Sequence, residues 1–379
     1  MPVSHRDVVT TDCIISLKLS TRMLLSCVVL SALSLLSSSR GASQWQDVVV
    51  SNVAPRYTAT GGLVGAQDGN LVSIPDAQGG GFALLGINYG NCAFQACKNT
   101  TEGSCGFGPS VVSLWRSSTL AQSDWGEPVE LLPLPQRPSA TTFRPHLIWC
   151  PATRKWVLWL RWLYGNGPIS SQNTTYLTAT ADAVEGPYAV ANANLTMFWP
   201  NSADYNLFYD SGDGAAYIAH TARSTGTKIV VEKLTPDFTG SAGATDPSSR
   251  SDPIGPGGTE APALFKVGST YYLSFASLCC YCPAGAATQV YTAQHPLGPY
   301  SALTSLGNAP GAQQNFVFSA PGKLEGVLWG GNRWGSDPIH PAGPLFDYSL
   351  QYWGILNLSA SGNITALTWQ DKVVLRVYT

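Results

Sequence analysis

Charge is scarce in this chain: Asp, Glu, Lys and Arg make up 12% of its 379 residues, and the formal net charge is −2. No stretch gathers Lys and Arg into a basic stripe, which argues against nucleic acid as a partner. The apolar run Met23–Leu36 has 14 residues, short of the roughly 20 that a spanning helix requires. No long segment shows the apolar period of an amphipathic helix, and no Pro/Gly/Ser linker divides the chain. Paired Cys-x-x-Cys spacing with histidines nearby is also missing, which weighs against a zinc site. With 44% hydrophobic residues, the low charge excludes disorder for the bulk of the chain.

What is present points to strands and turns. There are 38 Gly, 26 Pro and 12 Trp, an inventory that suits an all-β protein. At the start, Arg6, Lys18 and Arg22 precede the apolar run, and small residues follow it up to Ser43. This is the pattern of a secretory signal, with an uncleaved anchor as the alternative. Residues 1–43 are therefore expected to be a leader and 44–379 a single domain. Without residues 1–42 the chain holds 17 basic and 21 acidic side chains.

Seven cysteines remain beyond the leader: Cys92, Cys97, Cys105, Cys150, Cys279, Cys280 and Cys282. In an oxidising compartment they read as up to three disulfides and one leftover thiol. Five glycosylation sequons, at Asn99, Asn173, Asn194, Asn357 and Asn363, agree with a secreted, extracellular protein. The expected state is a monomer with no membrane attachment once the leader is cleaved.

A repeat lies in the strand pattern. Five segments begin with a polar residue and continue into apolar β-formers: Asp68-Gly-Asn-Leu-Val, Arg144-Pro-His-Leu-Ile-Trp, Asp204-Tyr-Asn-Leu-Phe-Tyr, Glu260-Ala-Pro-Ala-Leu-Phe and Gln313-Gln-Asn-Phe-Val-Phe. A second apolar segment follows each, starting at Phe82, Trp156, Ala216, Tyr272 and Val327. The interval is 12 residues in the middle three and 14 in the outer two. Ser211-Gly-Asp-Gly and Val267-Gly-Ser supply tight turns between the pairs. Gly-Pro-Tyr recurs late in two units, at 186–188 and 298–300. Repeats of this size, each holding several strands, predict an all-β, five-bladed β-propeller. Trp45-Gln-Asp-Val-Val-Val and Trp369-Gln-Asp-Lys-Val-Val-Leu are expected to close the ring.

In a propeller the first strand of each blade lines the axis, so Asp68, Arg144, Asp204, Glu260 and Gln313 should converge at one mouth. Three carboxylates facing one cavity repel, and burial raises their pKa values further. Glycoside hydrolysis uses such a set: a protonated acid for the leaving oxygen and an ionised carboxylate to activate water or attack the sugar. A third carboxylate keeps the acid protonated by like-charge repulsion. Trp149, Tyr209, Trp329, Trp334 and Trp353 lie on or near the same strands as candidates to stack on sugar faces. The plainer readings are an Asp capping its own turn and a Trp packed between blades. His146, His220, His295 and His340 read as ordinary loop or strand residues. No cofactor is implied, and a structural calcium on the axis is left open.

On these motifs the chain resembles glycoside hydrolase family 43, over about residues 60–372. The stretches that carry the likeness are Ser202-Ala-Asp-Tyr-Asn-Leu-Phe-Tyr-Asp-Ser-Gly-Asp-Gly-Ala-Ala-Tyr, Glu260-Ala-Pro-Ala-Leu-Phe-Lys with Tyr271-Tyr-Leu, and Gln313-Gln-Asn-Phe-Val with Asn332-Arg-Trp. Its wording is nearest the exo-β-1,3-galactanase branch. The resemblance implies Glu260 as general acid and Asp204 as the residue that tunes it. Asp68 falls where most members carry the base, whereas the galactanase branch is thought to use a Gln whose counterpart is Gln313. Asp68 is the favoured base here, with Gln313, Arg144, Trp334 and Tyr209 binding substrate. Two departures stand out: Ala203 occupies the place of an Arg, and no first-blade Glu matches around Gly86-Ile-Asn-Tyr. The implied partner is an oligo- or polysaccharide, β-1,3-galactan first, then arabinofuranosides or xylosides. The implied chemistry is inverting and exo-acting, with a non-catalytic sugar-binding propeller or a transglycosylase as alternatives.

Overall fold

The inner strands of this chain are buried on both faces, because each is sandwiched between two neighbours rather than set against solvent. In the computed structural model, which describes residues 44–88, 111–164, 173–277, 287–307, 311–333 and 351–379, the strands form five antiparallel sheets and one two-stranded ribbon. Blade I holds β2 (Leu71–Ser73), β3 (Phe82–Asn88), β4 (Val111–Ser117) and β5 (Val129–Glu130). Blade II holds β6 (Thr142–Cys150), β7 (Lys155–Tyr164), β8 (Asn173–Ala181) and β9 (Ala189–Asn192). Blade III has β10 (Ser202–Asp210), β11 (Ala215–Ala222) and β12 (Lys228–Lys233). Blade IV has β13 (Thr259–Val267), β14 (Thr270–Ser277), β15 (Thr288–Ala293) and β16 (Ser301–Gly307). Blade V has β17 (Gln313–Phe318), β18 (Leu328–Asn332) and β19 (Gln351–Ile355).

Alternation along each strand assigns its side chains to two different neighbours. On β7, Trp156, Leu158 and Leu160 pack against Leu85, Ile87 and Leu114 of blade I. The intervening Val157 and Trp159 pack against Tyr205 and Ile218 of blade III. On β11, Tyr217 and Ala219 turn the other way, onto Leu264, Leu273 and Phe275 of blade IV. Blades IV and V meet through Phe265, Tyr272, Trp329 and Tyr352. Blades V and I meet through Phe82, Leu84, Phe316 and Trp353. Five seams, each built by two successive blades, close the ring. The expected five-bladed β-propeller is the fold observed.

The repeat's punctuation also falls where the sequence placed it. Gly268 and Ser269 make a two-residue hairpin between Val267 and Thr270, with Gly268 at φ 60° as mirror-image turns require. The two Gly-Pro-Tyr segments join the third and fourth strands of blades II and IV. In each, the Tyr hydroxyl donates to the carbonyl four residues back, Tyr188 to Val184 and Tyr300 to Pro296.

The segment after Trp45 is β1 (Trp45–Ser51), and it pairs in unbroken register with β20 (Lys372–Tyr378). Val48, Val50, Val373, Leu375 and Val377 on one face of this ribbon enter the seam between blades V and I. Asn52 locks the ribbon to blade V by exchanging two hydrogen bonds with the backbone of Trp353. Leu375 is fully buried there. Leu375→Ala is therefore expected to destabilise the protein by about 2–5 kcal/mol, read as a lower denaturation midpoint in urea with the slope unchanged.

Candidate active site

Four of the five inner strands begin irregularly. The register with the second strand shifts between Phe143 and His146 in β6, Ser202 and Tyr205 in β10, Glu260 and Ala263 in β13, and Gln314 and Phe316 in β17. A bulge bends the strand and re-aims a side chain. At or just before the starts of inner strands, Asp68, Arg144 and Ala261 take left-handed backbone conformations, with φ of 61°, 47° and 53°. Such conformations cost non-glycine residues about 1–3 kcal/mol each and persist only where the surroundings impose them. The result brings Asp68, Arg144, Asp204, Glu260 and Gln313 together at one mouth of the axis.

Contacts link the five in a chain. Arg144 Nε lies 3.8 Å from Asp68 Oδ1, and Arg144 Nη2 lies 3.2 Å from Asp204 Oδ2. The other oxygen of Asp204 accepts from Arg161 Nη1 at 2.7 Å. Gln313 Nε2 donates to Glu260 Oε1 at 2.8 Å and reaches Asp204 Oδ2 at 3.4 Å. Asp68 is held from behind, its backbone N–H donating to Asn332 Oδ1 at 2.9 Å. Arg144 Nη1 donates to the Gln314 carbonyl at 3.0 Å, and the Tyr205 hydroxyl donates to the Arg144 carbonyl at 2.6 Å. Arg161 is braced in turn by Thr174 Oγ1, which accepts from its Nε at 2.9 Å.

These surroundings drive two neighbouring carboxyls apart. Burial pushes the Glu260 carboxyl up to about 8, and the negative charge of Asp204 pushes the same way. Asp204 is itself buried, which works against its charge, yet Arg144 and Arg161 hold it below the usual carboxylate range. Pairs of acids split in this way carry opposite protons at neutral pH: Glu260 keeps its hydrogen and Asp204 is an anion.

That split has a signature in stability. Between pH 4.5, where an ordinary Glu ionises, and about 8, the unfolded chain has lost a proton that folded Glu260 still holds. The unfolded state then binds fewer protons, so stability falls as pH rises, by roughly 1 kcal/mol per unit from this group. Glu260→Gln removes the titration. Its melting temperature is expected to gain on the wild type steadily from pH 5 to 8 and to run parallel outside that window.

Not every expected site residue joins this mouth. Tyr209 lies five residues along β10 from Asp204, roughly 16 Å at the rise of a strand, and lines the opposite mouth with Trp149. It cannot serve substrate at the acids, and Trp149 is misplaced for the same reason. Arg144 is 1% exposed; its guanidinium is enclosed by Asp68, Asp204 and the Gln314 carbonyl, so it orients carboxylates rather than meeting a sugar. Trp329 and Trp353 are buried in blade seams. Trp334 lies outside the described residues, as do residues 1–43, Asn99 and the six cysteines other than Cys150. Cys150 is a free, buried thiol. Among the described residues no group of three His, Cys, Asp or Glu is placed to hold a metal ion.

Two participants escaped the sequence. Arg161 stands opposite Phe143 on the second strand of blade II, and its signal was a single charge inside the run Trp156-Val-Leu-Trp-Leu-Arg-Trp-Leu. Arg223, just after β11, adds positive potential at both Asp204 and Glu260. With Ala203 beside Asp204, the guanidinium groups in contact with that carboxylate come from blade II, Arg144 and Arg161.

Five blades around an axis set a proton-holding acid against an anchored anion, the pairing that hydrolysis of a glycosidic bond uses. The chain belongs to glycosyl hydrolases family 43, whose family model matches residues 108–311. No curated protein matches it. Among solved structures it is similar to a family 43 β-1,3-galactosidase, with TM-score 0.63 and 21% identity over 86% of this chain and 64% of that one. An exo-β-1,3-galactanase from Clostridium thermocellum gives 0.66 and 20%, over 86% and 66%. An exo-β-1,3-galactanase from Phanerochaete chrysosporium with galactose gives 0.66 and 16%, over 87% and 70%. The chain thus spans less than two thirds of the length of the galactosidase. At these identities the likeness is one of fold.

Proposed function

We propose that the chain is a secreted glycosidase that removes galactose from the ends of β-1,3-linked galactan with inversion. The observation that carries this reading is the placement of buried Glu260 beside Asp204, the two bridged by Gln313 and Asp204 held by Arg144 and Arg161, a setting that pushes the Glu260 carboxyl up to about 8. At neutral pH Glu260 holds the proton that a departing glycosidic oxygen needs. Asp204 stays charged and opposes ionisation of its neighbour. Asp68 takes the proton of the attacking water, so water attacks the anomeric carbon from one face while the protonated oxygen leaves from the other. Gln313 spends its amide hydrogens on Glu260 and Asp204, which suits a residue that positions the acid and leaves the base role to Asp68. Arabinofuranosides and xylosides are the next substrates in order.

Galactan is favoured by the motif wording and by the names of the galactanases and galactosidase similar in fold. Secretion accords with the apolar leader and with exposed sequon residues Asn173, Asn194, Asn357 and Asn363. The test is incubation of the purified chain with β-1,3-galactan, followed by proton NMR of the first sugar released. The expected result is α-galactose before mutarotation. β-Galactose first would overturn inversion; release from arabinofuranosides or xylosides but not from galactan would overturn the substrate.

A further inference from the structure

The mouth opposite the acids holds a cavity of about 490 Å³, within the roughly 300–1,000 Å³ of small-ligand sites. All five blades line it, and every lining residue is described. Only two of those residues carry charge, Asp210 and Lys266, and they neutralise each other at 2.8 Å. The wall is therefore neutral, which disfavours an ionic ligand.

Two half-buried aromatic rings flank the opening. Trp149 of blade II is braced on Trp156, with ring centres 5.4 Å apart, and Tyr209 of blade III on Phe238 at 5.8 Å. Deeper in, Asn206 is 3% exposed, and its Oδ1 has no hydrogen-bond partner among the described residues. The contrast with blade I is informative. Asn70 stands two residues past Asp68, as Asn206 stands two past Asp204. Asn70 satisfies its amide on the backbone N–H and carbonyl of Leu147 in the next blade. Asn206 lines the cavity, and its amide is not tied to a neighbouring blade as that of Asn70 is.

A neutral wall, flat aromatic rings and an amide side chain in the lining together select a ligand with hydroxyl groups and apolar faces. The geometry points to a second carbohydrate site at this mouth, in which a neutral pyranose packs on Trp149 and Tyr209 and hydrogen-bonds the Asn206 side-chain amide. It is separate from the acids and does not require that they be active.

The test uses the full chain with its tryptophan indoles labelled with ¹⁵N and methyl β-D-galactopyranoside as the probe. The Trp149 indole signal, identified by its loss in Trp149→Phe, is expected to shift saturably. Ser211→Trp, which fills the rim, is expected to abolish that shift while leaving galactan hydrolysis unchanged. Tyr209→Ala is expected to weaken binding about tenfold and serves as a second variant. An unmoved Trp149 signal would mean that the cavity holds only water and would overturn the proposal. So would a shift that survives Ser211→Trp. A Trp149 shift in a protein without turnover would sink the hydrolase reading and leave this site standing.

Discussion

Glu260→Gln is expected to slow hydrolysis of galactan by about 10²–10⁴-fold, the range of a lost general acid. The same variant should cleave aryl β-galactosides with acidic phenol leaving groups within about tenfold of wild type, since such oxygens depart without a proton. The contrast between the two substrates is the informative quantity. A fold defect would depress both equally. Gln preserves the shape of the side chain and can still accept from Gln313 Nε2, so the Glu260 pocket need not rearrange. Equal losses on both substrates in steady-state assays would remove Glu260 from the acid role.

Asp204→Asn is expected to have two effects of different origin. Arg144 and Arg161 are 1% and 6% exposed, and the substitution leaves two buried cations facing one neutral amide. Removing one member of a buried ion pair costs about 3–5 kcal/mol, read as a fall in the urea midpoint. The second effect falls on the proton of Glu260. Asp204 pushes that carboxyl up, whereas Arg144, Arg161 and Arg223 pull it down. With the anion gone, only the downward pulls of charge remain, so the Glu260 pKa drops. The alkaline limb of kcat/KM, expected near pH 8 in the wild type, should move to lower pH in Asp204→Asn. A limb that stays in place or moves upward would contradict the coupling between the two acids.

The arrangement was legible in sequence wherever it depended on a repeated position. Asp68, Arg144, Asp204, Glu260 and Gln313 each open an inner strand, and any closed ring of equivalent strands brings such residues to one mouth. The ribbon of β1 and β20 was legible because Trp-Gln-Asp and a run of β-formers occur at both ends of the domain. Arg161 was not, because it belongs to a second strand and reaches Asp204 across a bulge that shifts the pairing between Phe143 and His146. Spacing along the sequence does not report such a shift. The lone charge amid apolar residues was the available clue. Tyr209 and Trp149 failed for a different reason. Alternation tells which face of a strand a residue occupies, but the end of the axis it serves depends on distance along the strand, and five residues carry it to the other end.

The ribbon also bears on how the domain can be recut. Trp45 sits beside Tyr378, their rings 5.5 Å apart, so the polypeptide enters and leaves the propeller at the same spot. A short linker between those residues would make the backbone circular without disturbing a blade. New ends opened at Ser211–Gly214 or another hairpin tip would then yield a circular permutant whose five seams stay intact. Trimming either member of the ribbon, in contrast, would strip apolar side chains from the seam between blades V and I and let the circle spring open there.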